Sequence, residues 1–372
     1  MILAVDIGGT KTYAALFPVP PSGSSPSAPS SPAGSSTPSG SSFSTSDWHP
    51  THLTRWPSRD FDFRLLREFI RTANLTQPIQ AAGFSLAGPI VGDQCQLVNL
   101  DKTLEFSAVR QELPQIEHIV FANDLVATAH SLQVLPTSSF VSLTEHLPAE
   151  NAFAPQDCYP IAVLSLGTGL GQSTLLSPNQ ALSSEGAHAD FAPTTEQQVR
   201  LWRYLKQHYE HVSYERLLSG LGLQNIYAFL AQEKSAAADI GTTPTTPTTL
   251  TPKAPTTPAP PATQTAPSPT PPEITSRGLD GTCPLCQATL HLFTEILGAQ
   301  AGNFALQTMS VGGIYLAGGI ISHILPALCQ AAFRQAFVNK GRFSGILQQI
   351  PITAVCDDRA ALWGAGQLAK VT

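Results

Sequence analysis

The chain has 372 residues, 42% of them hydrophobic and only 12% charged, with a formal net charge of −6 and a pI of about 5.9. That length exceeds what one ordinary core serves, so two lobes are expected. Lys and Arg form no cluster, which argues against nucleic acid or an anionic membrane as a general partner.

Met1 leads straight into the strand-like run Ile2-Leu3-Ala4-Val5 with no basic region before it, so no signal peptide is expected. No apolar run reaches the length of a membrane span. The six Cys are scattered, and a reduced, cytoplasmic protein is the expectation. Cys283-x-x-Cys286 is the only close pair. Metal or redox chemistry is open to it, but no second Cys or His pair stands at ligand spacing, and two thiols at the start of a helix is the simpler reading. Residues 19–47 and 241–273 are almost entirely Ser, Thr, Pro, Gly and Ala. Such segments bury too little apolar surface to offset the entropy of ordering, so both are expected to be disordered insertions.

The rest alternates between strands and helices. Ile2–Val5 and Tyr13–Phe17 flank a glycine turn and read as a hairpin. Phe63–Ala73 has apolar residues at helical spacing. Gln80–Leu86 and Ile119–Ala122 read as strands, the second running into a helix from Leu125. Ile161–Leu166 and Gln172–Leu176 flank another glycine turn. Thr195–Tyr209 predicts a helix, with Thr195-x-x-Gln198 as its capping box. A long Ala- and Leu-rich helix is predicted over Cys283–Val311, followed by a strand at Ile314–Ala317. This alternation implies an α/β protein in which two similar halves, each opening on a hairpin, face one cleft. The boundaries expected are 1–134 plus 357–372 for a small domain and 135–356 for a large one.

Three glycine turns carry the first chemistry. Asp6-Ile7-Gly8-Gly9-Thr10-Lys11 sets an acid and two glycines between strands. Glycine lets backbone N–H groups approach an anion, and an Asp at a strand end is a hard ligand suited to Mg²⁺ or its water shell. An ordinary hairpin turn explains the same residues. Gly167-Thr168-Gly169-Leu170-Gly171 suits phosphate equally well, and is neither a Walker loop nor a Rossmann fingerprint. Gly318-Gly319 closes a strand and leaves flat backbone for an adenine or ribose, or simply a tight turn into a helix. In this order the three turns resemble the phosphate-1, phosphate-2 and adenosine motifs of the sugar kinase, Hsp70 and actin superfamily. That resemblance implies two RNase H-like domains closing over ATP and Mg²⁺.

Asn123-Asp124 ends a strand. The pair suits either a proton acceptor beside an amide for polyol binding, or a helix cap. Glu185-Gly186-Ala187-His188-Ala189-Asp190 gathers polar groups into one loop of the kind that sugar hydroxyls need; zinc is disfavoured because no helix-borne pattern is present. Ser213 is placed to cap a helix carrying Glu215 in its first turn.

Beyond those residues, EGAHADFAPTTEQQ, HVSYERLLSGLGLQNIY, IYLAGGI and FRQAFVNKGRF, with the nearby IPITAV, are similar to segments of the bacterial glucokinase family, in family order. The resemblance covers nearly the whole chain outside the two insertions. It implies ATP-dependent phosphorylation of glucose at O6, a cytoplasmic homodimer, and a sugar pocket lined by Asn99, Asn123, Asp124, Glu185, His188 and Glu215. Asp124 matches the family's catalytic base. Gly8, Gly9, Thr10, Lys11, Gly167, Thr168, Gly169 and Gly171 match the phosphate loops, Gly318 and Gly319 the adenosine motif, and Asp6 the acid near Mg²⁺. Ala187 stands where the family has a second glycine, and Val98-Asn99-Leu100-Asp101-Lys102 departs from the family's Thr-Asn motif with its nearby Trp. The first turn also resembles the repressor–kinase–open-reading-frame sugar kinases, whose Cys-rich zinc motif this chain lacks. Related hexose specificity, a non-catalytic sugar- and ATP-sensing regulator, and an actin-like filament are the alternatives; the acids of the sugar loops favour the kinase over the last two.

Overall fold

The computed structural model describes residues 1–19, 48–97, 100–144, 158–239 and 268–371. Nearly all of the expected insertions at 19–47 and 241–273, and Asn99, therefore lie outside the described residues. The chain divides into two compact units: Met1–Ser139 with Pro178–Ala181 and Arg359–Thr372, and Phe140–Ser177 with Leu182–Asp358.

The first unit holds strands β1 (Ile2–Ile7), β2 (Lys11–Phe17), β3 (His52–Pro57), β4 (Ala81–Leu86), β5 (Ile90–Val91), β6 (Gln94–Leu97), β7 (Lys102–Glu105) and β8 (His118–Asn123), with helices α1 (Phe63–Thr72), α2 (Phe106–Glu112) and α3 (Asp124–Ser131). Its main sheet runs β3-β2-β1-β4-β8, antiparallel around the hairpin and parallel from β1 through β4 to β8. Every residue of β1 and β4 is buried, as central strands covered on both faces require. On one face Leu3, Val5, Leu16 and Phe84 pack with Leu66 of α1 and Val109 of α2. On the other lies the C-terminal helix Ala360–Val371, against β1, β4 and α3. Its Trp363 meets the rings of Phe17 and Trp48 edge to face. Gly364 lets it cross α3 at close range, because a Cβ there would strike the backbone of Ala127.

The second unit holds β9 (Phe140–Ser142), β10 (Ile161–Leu166), β11 (Leu170–Ser177), β12 (Gln180–Ser184, apart from its first two residues), β13 (Gly313–Ala317) and β14 (Ile352–Val355) in the order β12-β11-β10-β13-β14-β9. β10, β13 and β14 are parallel. The helices are α4 (Glu196–Lys206), α5 (Gly220–Asp239), α6 (Pro271–Leu279), α7 (Pro284–Thr308) and α8 (Gly319–His323), with short ones at Leu325–Leu328, Ala331–Val338 and Ser344–Gln349. Most of α7 is buried, and its Phe293, Ile296 and Leu297 pack in one core with Leu164 of β10 and Leu316 of β13. Among the described residues no helix is long and apolar enough to cross a membrane.

Several sequence expectations are corrected. The segment 241–273 does not end in irregular chain: α6 starts at Pro271, where prolines fit the first turn because no N–H is needed there. Thr270 donates both its N–H and its hydroxyl to Glu273 Oε2, each at 2.7 Å. The helix of residues 195–209 spans Glu196–Lys206, and its capping is not reciprocal. Thr195 accepts from Gln198 N–H at 3.3 Å, but the Gln198 side chain accepts from Thr194 N–H at 2.9 Å, one residue further back. The long helix stops at Thr308 rather than Val311, where Met309 turns left-handed at φ 47°. Ser213 makes no capping bond to the short 3₁₀ turn Tyr214–Arg216. The small sheet β5-β6-β7 was not foreseen; strands of two to four residues are too short to show a period.

Candidate active site

In the first unit, the parallel register sets Asp6 beside Ser85 and Ser85 beside Ala122, and it ends with Ile7, Leu86 and Asn123 in line. Asp6 and the Asn123-Asp124 pair thus leave the sheet at the carboxyl ends of parallel strands, separated by β4. Ligands of open α/β sheets bind at that edge. Asp6 is 9% exposed, and one of its oxygens accepts the Ser85 hydroxyl at 2.7 Å. Beside it the Gly8-Gly9-Thr10 turn closes with Gly8 N–H on Lys11 O at 3.1 Å, and the Thr10 carbonyl accepts from Ser58 N–H at 3.0 Å. Thr10 and Lys11 face solvent.

Asn123 satisfies the cap reading. Its Oδ1 accepts from Leu125 N–H at 2.9 Å, and its Nδ2 donates to Gly88 O at 3.2 Å. An amide nitrogen has two hydrogens, so the second remains for a ligand. Asp124 is the first residue of α3, not the residue before it, and its Oδ1 accepts from Leu125 N–H at 3.0 Å. Its carbonyl accepts the Thr128 hydroxyl at 2.8 Å. A carboxylate in the first helical turn suits the helix dipole. Cys95 of β6 lies close enough to feel that charge: burial, reinforced by Asp124, pushes its thiol up to about 11. The sequence carried no signal for this neighbour beyond its place in a short strand.

In the second unit, two of the glycine motifs meet. β10 and β13 are parallel with Ser165 beside Ala317, so the turn after β10 and Gly318-Gly319 after β13 emerge together. Gly318 has φ 92° and lies so near Leu166 that a Cβ would strike its backbone. Gly167 N–H bonds to Gly169 O at 2.9 Å, and Gly220, the first residue of α5, donates its N–H to Gly167 O at 3.0 Å. The turn thus sits against the start of a helix, where backbone donors and dipole favour an anion.

The expected sugar residues of this unit lie on two laced segments. Asp190 bridges to Ser213, Phe191 N–H reaches Val212 O, and Tyr214 N–H reaches Ala189 O. Asp190 Oδ1 accepts from His211 Nε2 at 2.9 Å. Glu185 precedes and His188 ends the 3₁₀ turn Gly186–His188, with Oε2 and Nε2 3.8 Å apart and both side chains largely exposed. Ala187 is buried beneath them. Glu215 links this region to the nucleotide-type turn: its Oε2 accepts from Leu170 N–H at 3.2 Å. His188 and Glu215 line one cavity of about 370 Å³ together with Tyr209, His211, Ser213 and Arg216; Glu185 is not in its wall. Arg216 lies over the Tyr209 ring at 4.5 Å. Tyr209, His211 and Arg216 were not assigned to the site in the sequence reading, although each stands within six residues of Glu215.

For Mg²⁺ the test is the donor set. This ion keeps most of its water and is bound through one or two carboxylates plus substrate phosphates. Asp6 offers one carboxylate, already oriented by Ser85, beside a turn with glycine N–H groups. The residues fit.

A model of the family described as Glucokinase matches residues 40–372. The chain is 34% identical to a glucokinase of Neisseria meningitidis over 315 residues, 83% of this chain and 84% of that one. It is 33% identical to a glucokinase of Nostoc punctiforme over 377 residues, covering 98% and 97%. Among solved structures, a glucokinase from an Antarctic psychrotroph superposes with a TM-score of 0.74 at 26% identity, over 100% of this chain and 99% of that one. A glucokinase of the repressor–kinase–open-reading-frame type from Streptomyces griseus, solved with glucose and AMPPNP, shares the fold with a TM-score of 0.60 at 16% identity, over 100% and 99%. Motif order, mixed α/β fold and these matches agree: the chain belongs to the glucokinase family.

Proposed function

We propose that the protein is a glucokinase that moves the γ-phosphoryl group of ATP to O6 of D-glucose. The observation that carries this reading is Glu215, whose carboxylate is bonded to Leu170 in the second glycine turn and also lines the cavity with His188. A group joining a polyol-type pocket to a phosphate-type loop is what a sugar kinase requires and what a filament subunit has no use for. Curated relatives of the same family carry the same activity in their names.

In this mechanism Asn123, Glu185, His188 and Glu215 hold the sugar, with Asn99 as a further contact. Asp124 accepts the O6 proton as that oxygen attacks the γ-phosphorus in line. Phosphoryl transfer asks mainly for positioning and charge stabilisation. The backbone N–H groups of Gly9 and Thr10, and of Thr168, Gly169 and Gly171, supply part of the latter, with Gly8 and Gly167 shaping the two turns and Lys11 nearby. Gly318 and Gly319 leave room for the adenosine. Asp6 would hold Mg²⁺ or its water shell, and the ion would supply neutralisation of charge at the phosphates. On the family resemblance, the working enzyme is a cytoplasmic homodimer.

A coupled kinase assay across hexoses and phosphoryl donors tests the reading. ATP-dependent product from glucose, with poorer use of mannose and glucosamine and little use of ADP or polyphosphate, is the expected result. Absence of any sugar-dependent nucleotide turnover would leave the regulator reading in its place.

A further inference from the structure

We propose that Cys283 and Cys286 form a redox-active dithiol that exchanges with low-molecular-weight disulfides, a site independent of the kinase reading. Cys283 is the N-cap of α7, and its sulfur accepts the Cys286 N–H at 3.3 Å. Pro284 fills the first helical position, which needs no N–H and favours the helical φ. The two sulfurs are thereby held on a single turn, the second one turn into the helix. Cys283 keeps 9% of its surface, whereas Cys286 keeps none. The approach to Cys283 runs through the exposed residues Asp280, Gly281 and Thr282. That stretch is held by Thr282 on Asp280 Oδ1 at 2.6 Å through its hydroxyl and 2.8 Å through its N–H.

The electrostatics divide the pair into two roles. The Cys286 thiol donates to Cys283 and holds it below the ordinary thiol range against the opposing effect of burial; the Cys286 N–H and the Arg277 guanidinium act in the same direction. Burial, with the neighbouring sulfur, pushes Cys286 up to about 12. Of two thiols at a helix N-terminus, the one with the lowered pKa is suited to attack, and the more deeply buried, protonated neighbour to resolve the product.

The exchange balances as follows. The Cys283 thiolate attacks one sulfur of an external disulfide, forming a mixed disulfide and releasing one thiolate. Cys286 loses its proton to that leaving thiolate or to water and attacks Cys283 Sγ. The Cys283–Cys286 bond forms, and the second external thiol departs. Two protein thiols are oxidised by two electrons, and one external disulfide is reduced to two thiols.

The full chain is incubated with glutathione buffers from reduced to oxidised, quenched in acid, alkylated and mapped by mass spectrometry. The wild type is expected to lose two hydrogens and both alkylation labels on the peptide carrying Cys283 and Cys286, in a step that reduced glutathione reverses. The Cys286→Ser and Cys286→Ala proteins are expected to accumulate glutathione on Cys283 in place of the internal bond. The exposed Cys158 and Cys329 report background adducts in the same digest. Full alkylation of both Cys283 and Cys286 in oxidised buffer overturns the proposal. So does a Cys286 variant, folded by circular dichroism, whose Cys283 takes no more glutathione than Cys158.

Discussion

Leu170 and Glu215 are joined across 45 residues of sequence: the backbone N–H that opens β11 donates to the carboxylate of the Tyr214–Arg216 turn at 3.2 Å. The contact depends on the residue before Leu170. A Cβ on Gly169 would lie 2.5 Å from Glu215 Oε2, so glycine there permits the approach.

Gly169→Ala is therefore expected to displace Glu215 and to lower kcat/KM for glucose about tenfold or more, within the roughly 1–3 kcal/mol scale of overpacking. A double-mutant cycle separates this from a general disturbance of the loop. With Glu215→Ala as background the clash is gone, and adding Gly169→Ala should cost little more. Equal losses in both backgrounds would show that the glycine serves the turn alone.

Ser85 holds Asp6 by a buried hydrogen bond of 2.7 Å. Ser85→Ala removes that donor and leaves the carboxylate mis-set for its ion. The expected outcome is a several-fold rise in the Mg²⁺ concentration needed for half-maximal rate, with little change in the KM for glucose. A hydrogen-bond partner that orients a metal ligand typically contributes about 10–100-fold in affinity or activity; a several-fold effect is expected where the carboxylate acts through the ion's water shell. Magnesium titrations of the two proteins measure it.

Cys95 gives a pH dependence with a defined sign. Its thiol is raised from the ordinary value to about 11 by burial and by Asp124. Between about pH 9 and 11 the unfolded chain loses this proton while the folded chain keeps it, so the folded state binds more protons and stability falls as pH rises. Below pH 9 the contribution is constant. Urea unfolding at pH 8 and pH 10 should show a smaller loss for Cys95→Ala than for the wild type. In the native protein Cys95 should also resist alkylation at neutral pH, because the thiolate is the reactive form.

Gly364 tests how α3 is held. A Cβ there would strike the Ala127 backbone, and Ala127 lies three residues beyond Asp124. Gly364→Ala is expected to lower stability by about 1–3 kcal/mol and to reduce kcat as α3 shifts. Denaturant melts and steady-state rates on the same preparations check both halves.

The elements most legible in the sequence were those whose partners are local. β1 with β2, and β10 with β11, are joined by short glycine turns, and the apolar runs between them left little choice. The helices α1 and α4 showed their period, and α7 was legible from its Ala- and Leu-rich composition. The β5-β6-β7 sheet was hidden because its strands span no more than two periods of alternation. α6 was hidden because Pro271-Pro272 resembles the Pro-rich stretch before it, although Thr270 and Glu273 stand at capping-box spacing. At the candidate site, residue types and family order named the glycine turns and the acids. The adjacency of Gly167 and Gly318, the Glu215–Leu170 bond and the nearness of Cys95 to Asp124 depend on strand order and on contacts 29 to more than 100 residues apart, and no periodicity encodes them.

The central claim is that Asp124 receives the proton of the attacking hydroxyl, and the kcat of Asp124→Ala with saturating glucose and ATP measures it most directly. The account predicts a fall of about 10²-fold or more, with glucose binding by calorimetry weakened only modestly and the fold intact by circular dichroism. A kcat close to that of the wild type would contradict it.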